Sequence, residues 1–143
     1  MCGIAGIIDP QNGLAPEYIG AFTHALRHRG PDDQSTFVSD NAMAALGHCR
    51  LAILDMSDSA NQPFKSADGR YVLVFNGEIY NYLELKAQLQ SLGYVFQTTS
   101  DTEVLLTAYI EWGKECLARF NGMWAFAIWD CVEQTMFLSR DRF

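Results

Sequence analysis

The chain has little of what several common chemistries require. Its four cysteines, Cys2, Cys49, Cys116 and Cys131, form no C-x-x-C pair, which argues against a zinc site and against a dense disulfide framework. No apolar run approaches the roughly 18 residues that a membrane helix needs. No basic cluster is longer than Arg27-His28-Arg29, and the net charge is −7 with a pI of about 4.7. Neither nucleic acid nor a membrane is therefore an expected partner. The first residues lack the basic segment and long apolar segment of a signal peptide. Reduced thiols and a cytoplasmic location are the expectation.

What the chain does have fits one globular domain. It is 143 residues long, 49% hydrophobic and 19% charged, enough for a substantial core. Residues 2–8 read as a buried strand ended by Asp9-Pro10 and Asn12-Gly13. Pro16 suits a first helical position, and Ile19, Phe22 and Leu26 follow at helical spacing toward Gly30-Pro31. Two strands are predicted near 34–39 and 43–54. The polar stretch 55–67 reads as a surface loop, and Asp68-Gly69 as a hairpin turn before the strand 71–75.

Asn81 with Glu84, and Ser100 with Glu103, read as capping boxes. The first opens a helix with a stripe of Tyr82, Leu85, Leu89 and Leu92, closed by Gly93. The second opens a helix buried through Leu105, Ala108, Tyr109 and Trp112, closed by Gly113. A helical turn over 114–120 and strands over 123–130 and 135–141 complete the order β-α-β-β-β-α-(β)-α-β-β. Short turns between consecutive strands point to antiparallel sheet covered by helices. The chain stops at Arg140-Asp141-Arg142-Phe143, in or just after a strand. Residues 1–143 are thus expected to be an N-terminal piece of a larger protein.

Cys2 carries the most chemistry. If Met1 is cleaved, Cys2 gains a free α-amine beside its thiol, a nucleophile with its own candidate base. Small, flexible Gly3 lets other groups approach the chain end. Other clusters stand out: Arg27-His28-Arg29-Gly30-Pro31-Asp32, His48-Cys49-Arg50-Leu51, Asn76-Gly77-Glu78 and Ser100-Asp101. Taken singly each has a plain reading. Arg50 fits an exposed strand charge, Asn76-Gly77 a turn pair, and Asp101 a helix cap. Cys49, Cys116 and Cys131 read as packing residues, and Trp112, Trp124 and Trp129 as core.

Together these segments resemble the glutaminase domain of class II glutamine amidotransferases, the N-terminal-nucleophile type. The resemblance rests on Met-Cys-Gly-Ile-Ala-Gly at 1–6, Arg-His-Arg-Gly-Pro-Asp at 27–32 and His-Cys-Arg-Leu-Ala-Ile-Leu-Asp at 48–55. It continues in Asn-Gly-Glu-Ile-Tyr-Asn at 76–81, Ser-Asp-Thr-Glu-Val at 100–104 and Arg-Asp-Arg-Phe at 140–143. These fall in order along the whole chain. The Leu-x-Ile-x-Asp run after Arg50, and Glu-Ile-Tyr-Asn after Gly77, are similar to the asparagine synthetase branch.

The resemblance implies an α+β Ntn-hydrolase fold, an αββα four-layer sandwich with two stacked antiparallel sheets, truncated at its C-terminus. It implies that Cys2 attacks the side-chain amide of L-glutamine while Asn76 and Gly77 donate to the oxyanion. Arg50 would clamp the substrate carboxylate. Glu78 and Asp101 would hold the α-ammonium, and backbone groups near Leu51 and Ile53 would line the site. No cofactor or metal is expected in this domain. ATP and Mg belong to an expected C-terminal synthetase domain of the same polypeptide, and a homodimer is compatible with the pattern. His28, Arg29 and Asp32 are assigned to structure or gating, and His48 to structure. Two alternatives stay open: another N-terminal-cysteine amidohydrolase, such as an acylase, or a silent regulatory domain if Met1 is retained.

Overall fold

The computed structural model describes residues 2–11, 13, 16–51 and 61–142. The elements are β1 (Gly3–Ile8), α1 (Pro16–Ala25), β2 (Asp33–Val38), β3 (Ala44–Arg50), β4 (Phe64–Lys65) and β5 (Tyr71–Ile79). There follow α2 (Tyr82–Ser91), α3 (Asp101–Trp112), a 3₁₀ helix over Gly113–Arg119, β6 (Gly122–Asp130) and β7 (Thr135–Arg140). All strand pairs are antiparallel, in two sheets ordered β1-β3-β2 and β4-β5-β6-β7.

Strand alternation builds the layers. Ala44 and Leu46 of β3 pack against Val72 and Val74 of β5, with Ala127 and Trp129 of β6, and fill the space between the two sheets. Leu73 and Phe75, on the opposite face of β5, join Leu85, Leu89, Leu105 and Ala108 under α2 and α3. Helix α1 covers the outer face of β3. The layers run α1, three-stranded sheet, four-stranded sheet, α2–α3. This is the expected αββα sandwich.

Several local expectations need correction. The α1 stripe does not run through Phe22, which is 53% exposed. Thr23 is buried instead, because it lies over Gly47, where a Cβ would come within 1.9 Å of its hydroxyl. Leu92 is exposed, since α2 ends just before it. Asn81 caps nothing with its side chain. It donates to the Arg119 carbonyl at 2.9 Å and accepts from the Asn121 amide at 2.9 Å, tying the start of α2 to the start of β6.

Ser100 does cap α3, accepting from Thr102 N at 3.1 Å. Glu103 does not complete that box. It accepts from the Thr98 amide and the Thr98 hydroxyl, both at 2.7 Å, and so folds the 97–100 segment onto α3. That segment forms no strand, so the bracketed strand between the two helices is absent. In the stretch read as a surface loop, Phe64–Lys65 pairs with β5 and Gln62 is buried. Residues 55–60 of that stretch, and the end of the strand expected to reach 54, lie outside the described residues.

Candidate active site

Cys2 sits at the head of β1. The register pairs Gly3 with Cys49 and Ile4 with His48, which brings Cys2 beside the end of β3. The Leu51 amide donates to Cys2 Sγ at 3.4 Å, and the Leu51 carbonyl lies 3.7 Å from the same sulfur. Arg29 Nε donates to the Cys2 carbonyl at 3.1 Å, an anchor consistent with a structural role for the Arg27–Asp32 loop. Gly30 lets that loop close on β3, since a Cβ there would lie 2.3 Å from the Cys49 carbonyl. His28 is exposed, and its Nδ1 lies 3.2 Å from the Ala25 carbonyl.

The second sheet supplies the facing wall. Asn76, Gly77 and Glu78 were expected just after a strand; they are the last turns of the pleat within β5. Gly77 is required there twice over. Its φ is 157°, and a Cβ would meet the Met123 carbonyl at 2.1 Å, so only a bare backbone fits beside β6. Asp101 opens α3 and is 5% exposed. Its Oδ2 accepts from the Ile79 amide at 3.0 Å, which locks the helix start to the end of β5. Burial raises the Asp101 pKa above the ordinary carboxylate value; the Ile79 amide opposes this and the Glu78 charge adds to it.

These residues meet around one cavity of about 110 Å³, lined by Cys2, Arg50, Leu51, Asn76, Gly77, Glu78 and Asp101. Every site residue read from the sequence is there except Ile53, which lies outside the described residues. Six further residues line it that were not among the expected site residues: His48, Gln62, Phe75, Ser100, Thr102 and Met123. Gln62 ties the walls together, accepting from Phe75 N at 2.6 Å and donating to Thr102 Oγ1 at 3.3 Å. Its neighbour Asn61 accepts from the Arg50 guanidinium. The Gln62-Pro63 pair in a polar stretch gave no sign of either role.

The charges in this cavity are divided. Arg50, 7% exposed, is the cation. Asp101 and the half-buried Glu78 are the anions. One guanidinium and two carboxylates form the set that a free α-amino acid needs for its own carboxylate and ammonium. Among the four thiols, only that of Cys2 reaches the cavity. Cys49 points the other way and donates to the Thr23 carbonyl at 3.1 Å. Burial pushes its pKa up, helped by Asp33 and Cys2, and burial pushes Cys116 up to about 12. Among the described residues no three His, Cys, Asp or Glu side chains are grouped to hold a metal, and no helix is long and apolar enough to cross a membrane.

A cysteine at the second residue, heading the edge strand of one of two facing antiparallel sheets, is the arrangement of an amidotransferase fold of the N-terminal-nucleophile type. A solved Bacillus subtilis structure, a glutamine phosphoribosylpyrophosphate amidotransferase complexed with ADP and GMP, superposes with a TM-score of 0.76 at 27% identity, covering 96% of this chain and 37% of that one. The model of the glutamine amidotransferase domain family matches residues 1–143, and the chain belongs to that family. It is 44% identical over its whole length to a Mycobacterium tuberculosis protein provisionally described as a glutamine-hydrolysing asparagine synthetase. It is 39% identical, over 99% of its length, to asparagine synthetase (glutamine-hydrolysing) 3 of Bacillus subtilis. The chain spans 24% and 23% of those two relatives.

Proposed function

We propose that this domain hydrolyses L-glutamine to glutamate and ammonia at Cys2, and that a C-terminal synthetase domain of the same polypeptide uses the ammonia. The observation that carries the reading is the meeting of Cys2, Arg50, Asn76, Gly77 and Asp101, from four separate elements and loops, around one small cavity. Removal of Met1, which lies outside the described residues, frees the Cys2 α-amine. Unperturbed α-amines titrate near about 7.7–8.0, so a useful fraction is neutral near pH 7 and can take the thiol proton. The sulfur attacks Cδ of the glutamine side chain. The carbonyl electrons move to oxygen, where Asn76 Nδ2 and the Gly77 amide donate to the oxyanion.

Collapse of that intermediate expels the amide nitrogen. It leaves as ammonia with the proton returned by the α-ammonium, and a γ-glutamyl thioester remains on Cys2. Water, deprotonated by the same amine, attacks the thioester through a second oxyanion and releases glutamate. Arg50 holds the substrate carboxylate, with Asn61 fixing its guanidinium. Asp101 and Glu78 hold the substrate ammonium. That pair of opposed charges disfavours an acylase reading, because a bare acyl amide has no head group to satisfy it.

Asparagine synthesis from aspartate is the branch that the relatives' names support. ATP and Mg would act in the synthetase domain, in the cytoplasm, and the whole protein would be free to pair as a homodimer. The test is direct. Purified chain whose intact mass shows loss of Met1 should release glutamate and ammonia in equal amounts from glutamine. Cys2→Ala should release neither while unfolding at the native temperature. Full activity in protein that retains Met1 would overturn the built-in base.

A further inference from the structure

His48 is a polar group at this site that the proposed mechanism leaves unused. It is fully buried, at 0% exposure, and it lines the cavity. Among the described residues neither of its ring nitrogens meets a partner in good hydrogen-bond geometry. The Asn76 carboxamide oxygen, on the facing strand, is also buried and without a partner. A buried polar group left unmatched is costly, so two orphaned groups on facing walls of one small cavity call for an explanation.

Strand alternation places the two residues on the faces that meet between the sheets, and both line the cavity. Leu46 packs against Val72 and Val74 between the sheets. One pleat further toward the cavity, the next inward residue of β3 is His48 and the next inward residue of β5 is Asn76. Burial lowers the His48 pKa to about 4, with Arg50 adding to the effect and the adjacent Phe75 backbone opposing it. The imidazole is neutral at the working pH and has one N–H to give. The Asn76 Oδ1 can only accept.

We propose that His48 is a positioning residue for the Asn76 carboxamide: its ring N–H engages Asn76 Oδ1, directly or through one water, and turns the amide N–H₂ toward the carbonyl that Cys2 attacks. An unrestrained carboxamide can present its oxygen to the developing oxyanion as readily as its nitrogen, and the oxygen repels it. One donor behind Oδ1 removes that choice before substrate arrives, which is the preorganisation oxyanion stabilisation depends on. The inference rests on the reading that Cys2 hydrolyses glutamine with Asn76 as an oxyanion donor.

The test compares His48→Leu, which has no donor, with His48→Gln, which keeps an N–H, in the full chain after Met1 removal. Wild type and Cys2→Ala run alongside. His48→Leu should lower kcat for glutamine about 10- to 100-fold, with KM within about threefold. His48→Gln should recover most of the loss. The aldehyde analogue of glutamine, which forms a tetrahedral adduct on the thiol, should weaken by the same factor as kcat, and glutamate binding should not change. In an Asn76→Ala background, His48→Leu should have no further effect.

If the Leu variant does not fold, His48→Phe carries the same comparison. Histidine ¹⁵N spectra of the wild-type chain add a reading without substitution: the His48 ring nitrogens should shift when the aldehyde adduct forms. Unchanged kcat in His48→Leu, a loss confined to KM, full additivity with Asn76→Ala, or ¹⁵N shifts indifferent to the adduct would each overturn the assignment. Glutamine hydrolysis that survives in Cys2→Ala would instead overturn the parent reading, and is told apart by that control.

Discussion

The Leu51 backbone brackets the Cys2 sulfur, its amide donating at 3.4 Å and its carbonyl 3.7 Å away. Leu51 can therefore accept from the thiol through its carbonyl and donate to the thiolate through its amide. The contact is made by backbone, so the side chain should matter little. Leu51→Ala should keep kcat/KM for glutamine within roughly twofold, the range of substitutions that break no buried contact. A loss beyond tenfold would assign the Leu51 side chain a role in shaping the pocket.

Arg50 should dominate glutamine affinity. Truncating one partner of a desolvated charge pair costs about 2–5 kcal/mol. Arg50→Leu should then lower kcat/KM roughly 30-fold to several thousand-fold. Asn61→Ala leaves the charge and removes only its hydrogen-bonded brace, so KM should rise by about tenfold with kcat retained. Steady-state kinetics on both variants check this. An Asn61 effect carried by kcat would place Asn61 with the reacting groups.

Asp101 should trade stability for recognition. Its folded pKa is raised by burial, with Glu78 adding to the rise and the Ile79 amide opposing it. The folded state therefore holds this proton more tightly than the unfolded state. Stability from this group is present below the ordinary Asp value and declines as pH rises through the folded value, leaving a penalty at neutral pH. Asp101→Asn can still accept from Ile79 N, so it should unfold at an equal or higher temperature at pH 7 while its kcat/KM falls. A glutamine analogue without the α-amine should bind poorly to the native chain, yet lose little more in Asp101→Asn. If the two losses add, Asp101 does not touch the ammonium and serves to join α3 to β5.

Much of this site was legible in the chain, but only where chemistry and local structure coincide. Asn76-Gly77 stands out because Gly77 must pass under the Met123 carbonyl. Ser100-Asp101 stands out because a helix needs a start. Gln62 and Asn61 were invisible, since their roles are contacts to Phe75, Thr102 and Arg50 across the fold in a stretch whose composition resembles any loop. Asn81 misled for the related reason that a good cap residue can spend both ends of its amide elsewhere. Phe22 misled because the contact under α1 is set by the close approach of Thr23 to Gly47, and spacing alone cannot show it.

His48 should set part of the acid limit of folding. Its pKa is about 4 in the fold, lowered chiefly by burial from an ordinary 6.5. Between those values the unfolded chain binds a proton that the folded chain refuses. Stability from this group is thus fully present above about pH 6.5 and is lost as pH falls toward 4, to a limit of about 3 kcal/mol. Urea unfolding measured from pH 7 to pH 4 should show a shallower decline in His48→Gln than in wild type. Equal slopes would mean that His48 is solvated in the native state.

The central claim is that Cys2, and no other thiol, is the nucleophile for a glutamine side chain. A glutamine-derived chloroketone, which alkylates a thiol positioned at the amide carbon, tests it most directly when followed by peptide mapping. The account predicts one adduct per chain, on an N-terminal peptide beginning at Cys2, with labelling slowed by glutamine and abolished by Cys2→Ala. Cys49, Cys116 and Cys131 should remain unmodified. Glutamine-protectable label on Cys49, or on any cysteine when Cys2 is replaced, would contradict it.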